Sequence, residues 1–187
     1  SLGGDFEDRK DYREVILATR VQDALARINR DLPSEALEEA FRQLITFNSP
    51  LLEENNQYFH KLLVEGINVS VTENGVNRTK SAFIIDFENV SNNDFVVTNQ
   101  FTIIENGERR PDLILFINGI PLVVIELKSA SDENVGIESA YNQIQTYKKD
   151  ISTLFNYNAF CVISDGINAK AGTITSNEEW FMKRPAM

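Results

Sequence analysis

The sequence predicts an α/β (α+β) fold, a mixed β-sheet flanked by helices on both faces, with a helical segment ahead of the sheet. Three observations carry this expectation. Up to about residue 66 the apolar residues recur at helical spacing, and beyond it they fall into short strand-like runs. Two of those runs are apolar on both faces, and strands buried on both sides need cover above and below.

The first helix is read from Tyr12, Val15, Ile16, Thr19, Leu25 and Ile28. Pro33-Ser34 restarts the pattern, with Leu37, Ala40, Phe41, Leu44 and Ile45 on one face and Glu35, Glu38 and Glu39 suited to an N-terminal turn. A third helix is expected to open at Ser49-Pro50, serine capping and proline in the first helical position, and to run through Leu51, Leu52, Tyr58, Phe59, Leu62 and Leu63 to Gly66. Strands are expected at Ile67 to Thr72, Ala82 to Phe87, Phe95 to Ile104, Leu113 to Ile117 and Leu122 to Leu127. A helix with Ile137, Ala140, Tyr141, Ile144, Tyr147 and Ile151 as its stripe follows, then a last strand from Ala159 to Ile163.

A chain of 187 residues can close a sizeable core without disulfides or structural metal, so one domain over residues 1–187 is expected, helical over 11–66 and sheet-based over 67–175. Residues 1–10, opening on Ser1-Leu2-Gly3-Gly4, read as a flexible remnant that carries no weight. No run of eighteen apolar residues and no basic-then-greasy leader occurs, which points to a soluble, cytoplasmic protein. The lone Cys161 sits in an apolar run and reads as a buried strand residue in a reducing compartment. The net charge of −10 argues against a free-standing DNA binder, since phosphate affinity comes mainly from Lys and Arg. Partner domains with basic surface, or a metal among the carboxylates, would relieve that objection.

The most informative stretch runs from Arg110 to Lys128. Asn118-Gly119 between two apolar runs is a strong hairpin signal, so Asp112, near the start of one strand, is brought beside Glu126 and Lys128, near the end of the next. Glu126 and Lys128 share a face, with Leu127 on the other. Whether Asp112 joins them depends on parity. A plain two-residue loop pairs Asp112 with Ile125 and throws Glu126 to the opposite face; an odd-length loop or one β-bulge pairs Asp112 with Val124 and gathers all three. The odd register is expected. Three ionisable groups at the end of a greasy hairpin are costly unless they compensate one another or hold an ion, and two crowded carboxylates are relieved by Mg²⁺. Asp112 and Glu126 would be its ligands and Lys128 would stabilise charge on a phosphate under attack by water. The plainer alternative is a set of salt-bridged residues at strand ends.

The order Pro111-Asp112 followed by Glu126-Leu127-Lys128 resembles the PD-(D/E)xK nuclease pattern. The wider text is similar to the N-terminal region of the R subunit of type I restriction enzymes: Asn93-Asp94-Phe95, Asn99-Gln100-Phe101-Thr102, Arg110-Pro111-Asp112, Asn118-Gly119-Ile120-Pro121-Leu122, Glu126-Leu127-Lys128-Ser129, Tyr141-Asn142-Gln143 and Ser164-Asp165-Gly166. Gln143 and Tyr147 also match the Q-x-x-x-Y element of that branch. The resemblance implies a restriction-endonuclease-like core that cuts both strands of duplex DNA with Mg²⁺, ahead of an ATP-driven translocase and in complex with modification and specificity subunits. No Gly-x-x-x-x-Gly-Lys-[Ser/Thr] occurs here, so ATP would be handled elsewhere. Cut away from its motor, the domain is expected to cleave DNA weakly or not at all.

Other candidates are weighed against plainer roles. Gln143 and Tyr147, four apart on a helix, would contact DNA or brace the catalytic strand, or else the tyrosine fills core and the glutamine is solvated. His60, in a polar stripe with Glu53, Asn56 and Gln57, would match the early-helix metal ligand of RecB-like relatives, or is a surface or half-buried histidine. Arg109 and Arg110 abut Asp112 and are the best of the scattered basic residues for touching phosphates; Arg78, Lys80, Lys148 and Lys149 read as solvated, and Asp86 and Asp165 as turn residues. Two further readings share these features: a non-catalytic docking module of a restriction complex, and a RecB-like or structure-specific nuclease.

Overall fold

The computed structural model describes residues 9–128 and 136–183, so residues 1–8 of the remnant expected over 1–10 and Ser129 lie outside the described residues, whereas Arg9, expected to be flexible, is 4% exposed and donates Nη1 to Thr102 O at 2.8 Å. The helical region contains α1 (Ala18–Ile28), α2 (Ser34–Leu44) and α3 (Leu52–Glu65). Helix α1 starts later than its apolar spacing predicts. Leu17 instead donates its N–H to Gly119 O at 2.9 Å, so Val15, Ile16 and Leu17 enter the core as an irregular segment docked on the hairpin tip. Pro50 stays outside α3, but Ser49 still accepts the Leu51 N–H at 3.1 Å, and Gly66, at φ 81°, ends the helix.

Strands β1 (Ile67–Glu73) and β2 (Val76–Ala82) form an antiparallel ribbon through an Asn74-Gly75 turn. β1 alternates as predicted, burying Ile67, Val69 and Val71 on the α2 side. Its partner β2 is almost wholly exposed and polar, so it carries no apolar alternation to betray it. The strand expected over Ala82 to Phe87 is displaced: past Ala82 the backbone leaves the ribbon, although Ile84 and Ile85 are buried. Side-chain amides replace a neighbouring strand there. Asn29 Oδ1 accepts from Phe83 N (2.7 Å), Asn93 Oδ1 from Asp86 N (2.9 Å), and Asn118 Nδ2 donates to Ile84 O (2.7 Å).

The main sheet has the order β10-β9-β8-β7-β6-β3. It is built from β3 (Phe95–Asn99), β6 (Leu113–Ile117), β7 (Ile120–Leu127), β8 (Phe160–Ser164), β9 (Ala169–Gly172) and β10 (Met182–Lys183), with β4 (Ile103–Ile104) and β5 (Glu108–Arg109) as a short separate pair. Every neighbouring pair is antiparallel except β7 and β8, which run parallel and are joined through α4 (Ile137–Asp150) and α5 (Ser152–Phe155). The strand expected over Phe95 to Ile104 breaks at Gln100, where φ is 55°. The fold is therefore mixed α+β, as predicted.

The two sheet faces are covered unequally. Ile114, Phe116, Val124, Cys161 and Ile163, which the register sets on one face, are at most 1% exposed, with α4 lying along β7 and β8. On the other face Phe95, Val97, Phe160 and Leu127 are exposed. Cys161 is fully buried, which pushes its thiol up to about 12.

The β6–β7 turn is a two-residue turn with φ 52° at Asn118 and 81° at Gly119. Gly119 is required: a Cβ there would lie 2.5 Å from Leu17 O. Asn118, fully buried, is the hub of the tip. Its Oδ1 accepts from Asp94 N (2.8 Å) and Arg27 Nη2 (3.0 Å), and its Nδ2 donates to Ile84 O and to Asn93 Oδ1 (2.8 Å).

Candidate active site

At the far end of the same hairpin the expected gathering of charges occurs. Ile117 pairs with Ile120 and Phe116 with Pro121, but Leu115 pairs with Val123, so Leu122 is an extra residue in β7. One bulge flips the parity, as the cost of dispersing the acids had suggested. The partner differs from the expected one. The bulge lengthens β7 rather than β6, so Val124 faces Ile114, not Asp112. Carrying the Leu113–Ile125 pair one residue further sets Asp112 opposite Glu126 itself.

Glu126 is 3% exposed, at the end of a strand whose inward face is otherwise apolar. Its Oε1 accepts from Lys128 Nζ at 2.7 Å and its Oε2 from the Tyr147 hydroxyl at 3.1 Å. Burial holds its carboxyl above the usual range and the Asp112 charge adds to the rise, while the Lys128 ammonium opposes it. Asp112 is half-buried, with Oδ2 accepting from Leu127 N (2.9 Å) and Oδ1 from Gln100 Nε2 (3.0 Å). The site thus brings two carboxylates and one ammonium together, with the ammonium held by the buried Glu126.

Helix α4 closes the site from above. Tyr147, 4% exposed, lies one turn beyond Gln143 on the same face. Its phenol is pushed far up by burial and by the Glu126 charge it donates to, and Gln143 acts on the same hydroxyl in the opposite sense. Gln143 and Tyr147 thus join the acids through Glu126.

The remaining candidates go elsewhere. His60 lies on α3 with Nε2 3.0 Å from Asn158 O, just ahead of β8. The β7–β8 register puts that end of the sheet, where Val123 meets Phe160, three residues from the Glu126–Ile163 pair, roughly 10 Å at the rise of a strand. The structure does not bring His60 to the acids. Arg109 is bound to Asp150 at the end of α4, with Nε at 2.9 Å. Arg110 is exposed, with no ion pair to a described residue. Lys80 pairs with Glu73 at 2.6 Å, and Lys148 donates to Ile174 O at 2.6 Å. Asp86 and Asp165 cap their own turns, accepting from Asn89 N (2.8 Å) and Asn168 N (2.6 Å), which holds both carboxyls low.

Two participants escaped the sequence reading. Leu127 contributes only its backbone N–H, which no side-chain pattern reveals. Gln100 belongs to a quoted phrase, but being a neutral amide it gives no charge signal.

Residues 2–180 match the family described as Type I restriction enzyme R protein N terminus. A putative type I restriction enzyme MjaIXP endonuclease subunit from Methanocaldococcus jannaschii is 36% identical over 184 residues, 96% of this chain and 18% of that protein. The type I restriction enzyme HindI endonuclease subunit of Haemophilus influenzae is 37% identical over 175 residues, 92% of this chain and 17% of the relative. A second Methanocaldococcus jannaschii protein, the putative MjaVIIIP endonuclease subunit, is 33% identical over 129 residues, 69% of this chain and 12% of its own length. The chain spans less than a fifth of the length of these relatives.

Proposed function

The chain belongs to the family of type I restriction enzyme R proteins, matching their N terminus, and from that membership we propose that it is the DNA-cleaving part of such a protein. It would be a Mg²⁺-dependent phosphodiesterase that hydrolyses duplex DNA through Asp112, Glu126 and Lys128. The observation that carries the reading is the placement of Asp112 opposite a buried Glu126 whose carboxyl is raised by burial and by that neighbour.

The residues present fit the cation. Mg²⁺ keeps several waters and takes one or two protein carboxylates, which Asp112 and Glu126 supply. Among the described residues no group of three or more His, Cys, Asp or Glu offers a richer site. When bound, the ion would lower the pKa of a water and offset charge on the scissile phosphate. The chain's own residues do the rest. Leu127 N and Gln100 fix the plane of the Asp112 carboxylate, and Tyr147 fixes Glu126. Lys128, now neutralising Glu126, would turn its ammonium toward the charge developing on phosphate once a cation takes over that task.

Binding to DNA would depend on other subunits, because the net charge of −10 opposes phosphate and Arg109 is already committed to Asp150. Modification and specificity subunits would supply recognition, and ATP would act through the greater length that the relatives possess beyond the matched region. No described helix is long and apolar enough to cross a membrane. The test uses the full-length protein in its complex with duplex DNA, ATP and Mg²⁺. Asp112→Asn is expected to abolish cleavage while ATP hydrolysis continues, and a variant that cuts at the wild-type rate would overturn the assignment.

A further inference from the structure

Three non-glycine residues among those described hold a positive φ: Asn74 at 53°, Gln100 at 55° and Asn118 at 52°. The two asparagines open two-residue hairpin turns ahead of glycine, where that conformation is routine. Gln100 has no such reason. It sits where β3 ends, is exposed, and precedes the buried Phe101, so neither a tight turn nor packing of its own side chain calls for a left-handed backbone.

What the twist accomplishes is visible in its partners. Asn99 pairs with Leu113 and Leu113 with Ile125; one residue further, Gln100, Asp112 and Glu126 form a row across β3, β6 and β7. Gln100 N donates to Asp112 O at 3.0 Å, and Gln100 Nε2 to Asp112 Oδ1 at 3.0 Å. An ionised carboxylate only accepts, so the amide's NH₂ end is the one that serves here. On the other side Leu127 N holds Oδ2 at 2.9 Å. Donors from the end of β3 and from β7, one on each oxygen, restrain rotation of the carboxylate, and each oxygen retains acceptor capacity for a further partner.

We propose that Gln100 is a positioning residue, whose left-handed backbone turns its amide onto Asp112 Oδ1 so that the carboxylate is already set for a divalent cation shared with Glu126. The cation part rests on the function proposed above; the positioning part stands on the metal-free geometry. Strained backbone retained beside a functional side chain is the pattern expected when local conformation serves a site.

The test compares the 187-residue chain with Gln100→Gly and Gln100→Ala. Glycine adopts φ 55° freely, so the Gly variant is expected to melt no lower than wild type. Without metal, the three-bond Hα–Hβ couplings of Asp112 should report a single rotamer in wild type and averaged rotamers in both variants. Calorimetric titration with Mn²⁺ alone should show binding weakened about ten-fold in both, the size typical for loss of a partner that orients a metal ligand. Unchanged couplings would overturn the positioning role whatever the metal does. Tighter Mn²⁺ binding in the variants would overturn it too, since the amide would then be obstructing the ion. A loss in the Gly variant only would assign the effect to backbone freedom and count against the amide. A wild-type chain that shows the coupling difference but no Mn²⁺ heat would sink the metal reading and leave the positioning role standing.

Discussion

The two ends of the β6–β7 hairpin bury polar groups under similar cover and treat them in opposite ways. At the tip, the fully buried Asn118 has every polar atom of its amide satisfied, by Asp94, Arg27, Ile84 and Asn93. At the open end, Glu126 is almost as buried, but it faces a second carboxylate and has one ammonium between the two of them. A closed network of neutral amides is what a protein builds to fix a turn. A carboxylate at 3% exposure facing a second, half-buried one is what it tolerates where a ligand is proposed to bind. The contrast separates residues that hold the fold from residues that the fold holds.

That division makes opposed expectations for substitutions at the two ends. The largest effect is expected from Asp112→Ala assayed as cleavage by the full complex. The rate should fall by about 10³-fold or more, equivalent to about 4 kcal/mol, while the melting temperature of the chain hardly moves. At the tip, Asn118→Ala should do the reverse. It strands Asp94 N, Ile84 O and one Arg27 donor and puts alanine at φ 52°, a loss of about 4 kcal/mol at 1–3 kcal/mol for each buried group left unpaired. Denaturant midpoints would show it, and an alanine variant as stable as wild type would dissolve the contrast. Tyr147→Phe removes one hydrogen bond to Glu126 and should weaken divalent-ion binding about ten-fold by calorimetry, with a stability change of about 1 kcal/mol.

The smallest effect sharpens the comparison most. Glu126 has a folded pKa raised above its ordinary value near 4.5, chiefly by burial. Its contribution to stability is therefore full below the unfolded pKa and is lost as pH climbs through the folded one. In EDTA, Glu126→Gln should consequently match wild type in mildly acidic solution and exceed it at neutral pH. Equal pH profiles for the two proteins would mean that the site does not strain against its own charge.

How much of this was legible in the sequence follows the same physics. The hairpin announced itself through Asn118-Gly119, and the bulge followed from the cost of sending Asp112 and Glu126 to opposite faces, although which strand carried the extra residue turned on Leu122 and was not legible. β2 was invisible because one polar, exposed strand of a two-stranded ribbon needs no alternation. Residues 84 and 85 read as strand because burial makes them apolar, yet side chains from elsewhere in the chain serve the backbone there, Asn118 at Ile84 O and Asn93 at Asp86 N. Among site residues, charge made Asp112, Glu126 and Lys128 conspicuous. Gln100 acts through an amide and a backbone angle, neither of which leaves a periodic trace.

On the function proposed above, the acids at the open end are crowded so that they can share a divalent cation. Crystals of the chain soaked in Mn²⁺ and measured at the manganese edge test it directly. One anomalous peak is expected within about 2.0–2.3 Å of a carboxylate oxygen from both Asp112 and Glu126, near the distances hard cations keep to oxygen. Lys128 Nζ is expected to have left Glu126 Oε1. No peak there, with Lys128 still 2.7 Å from Glu126, would contradict it.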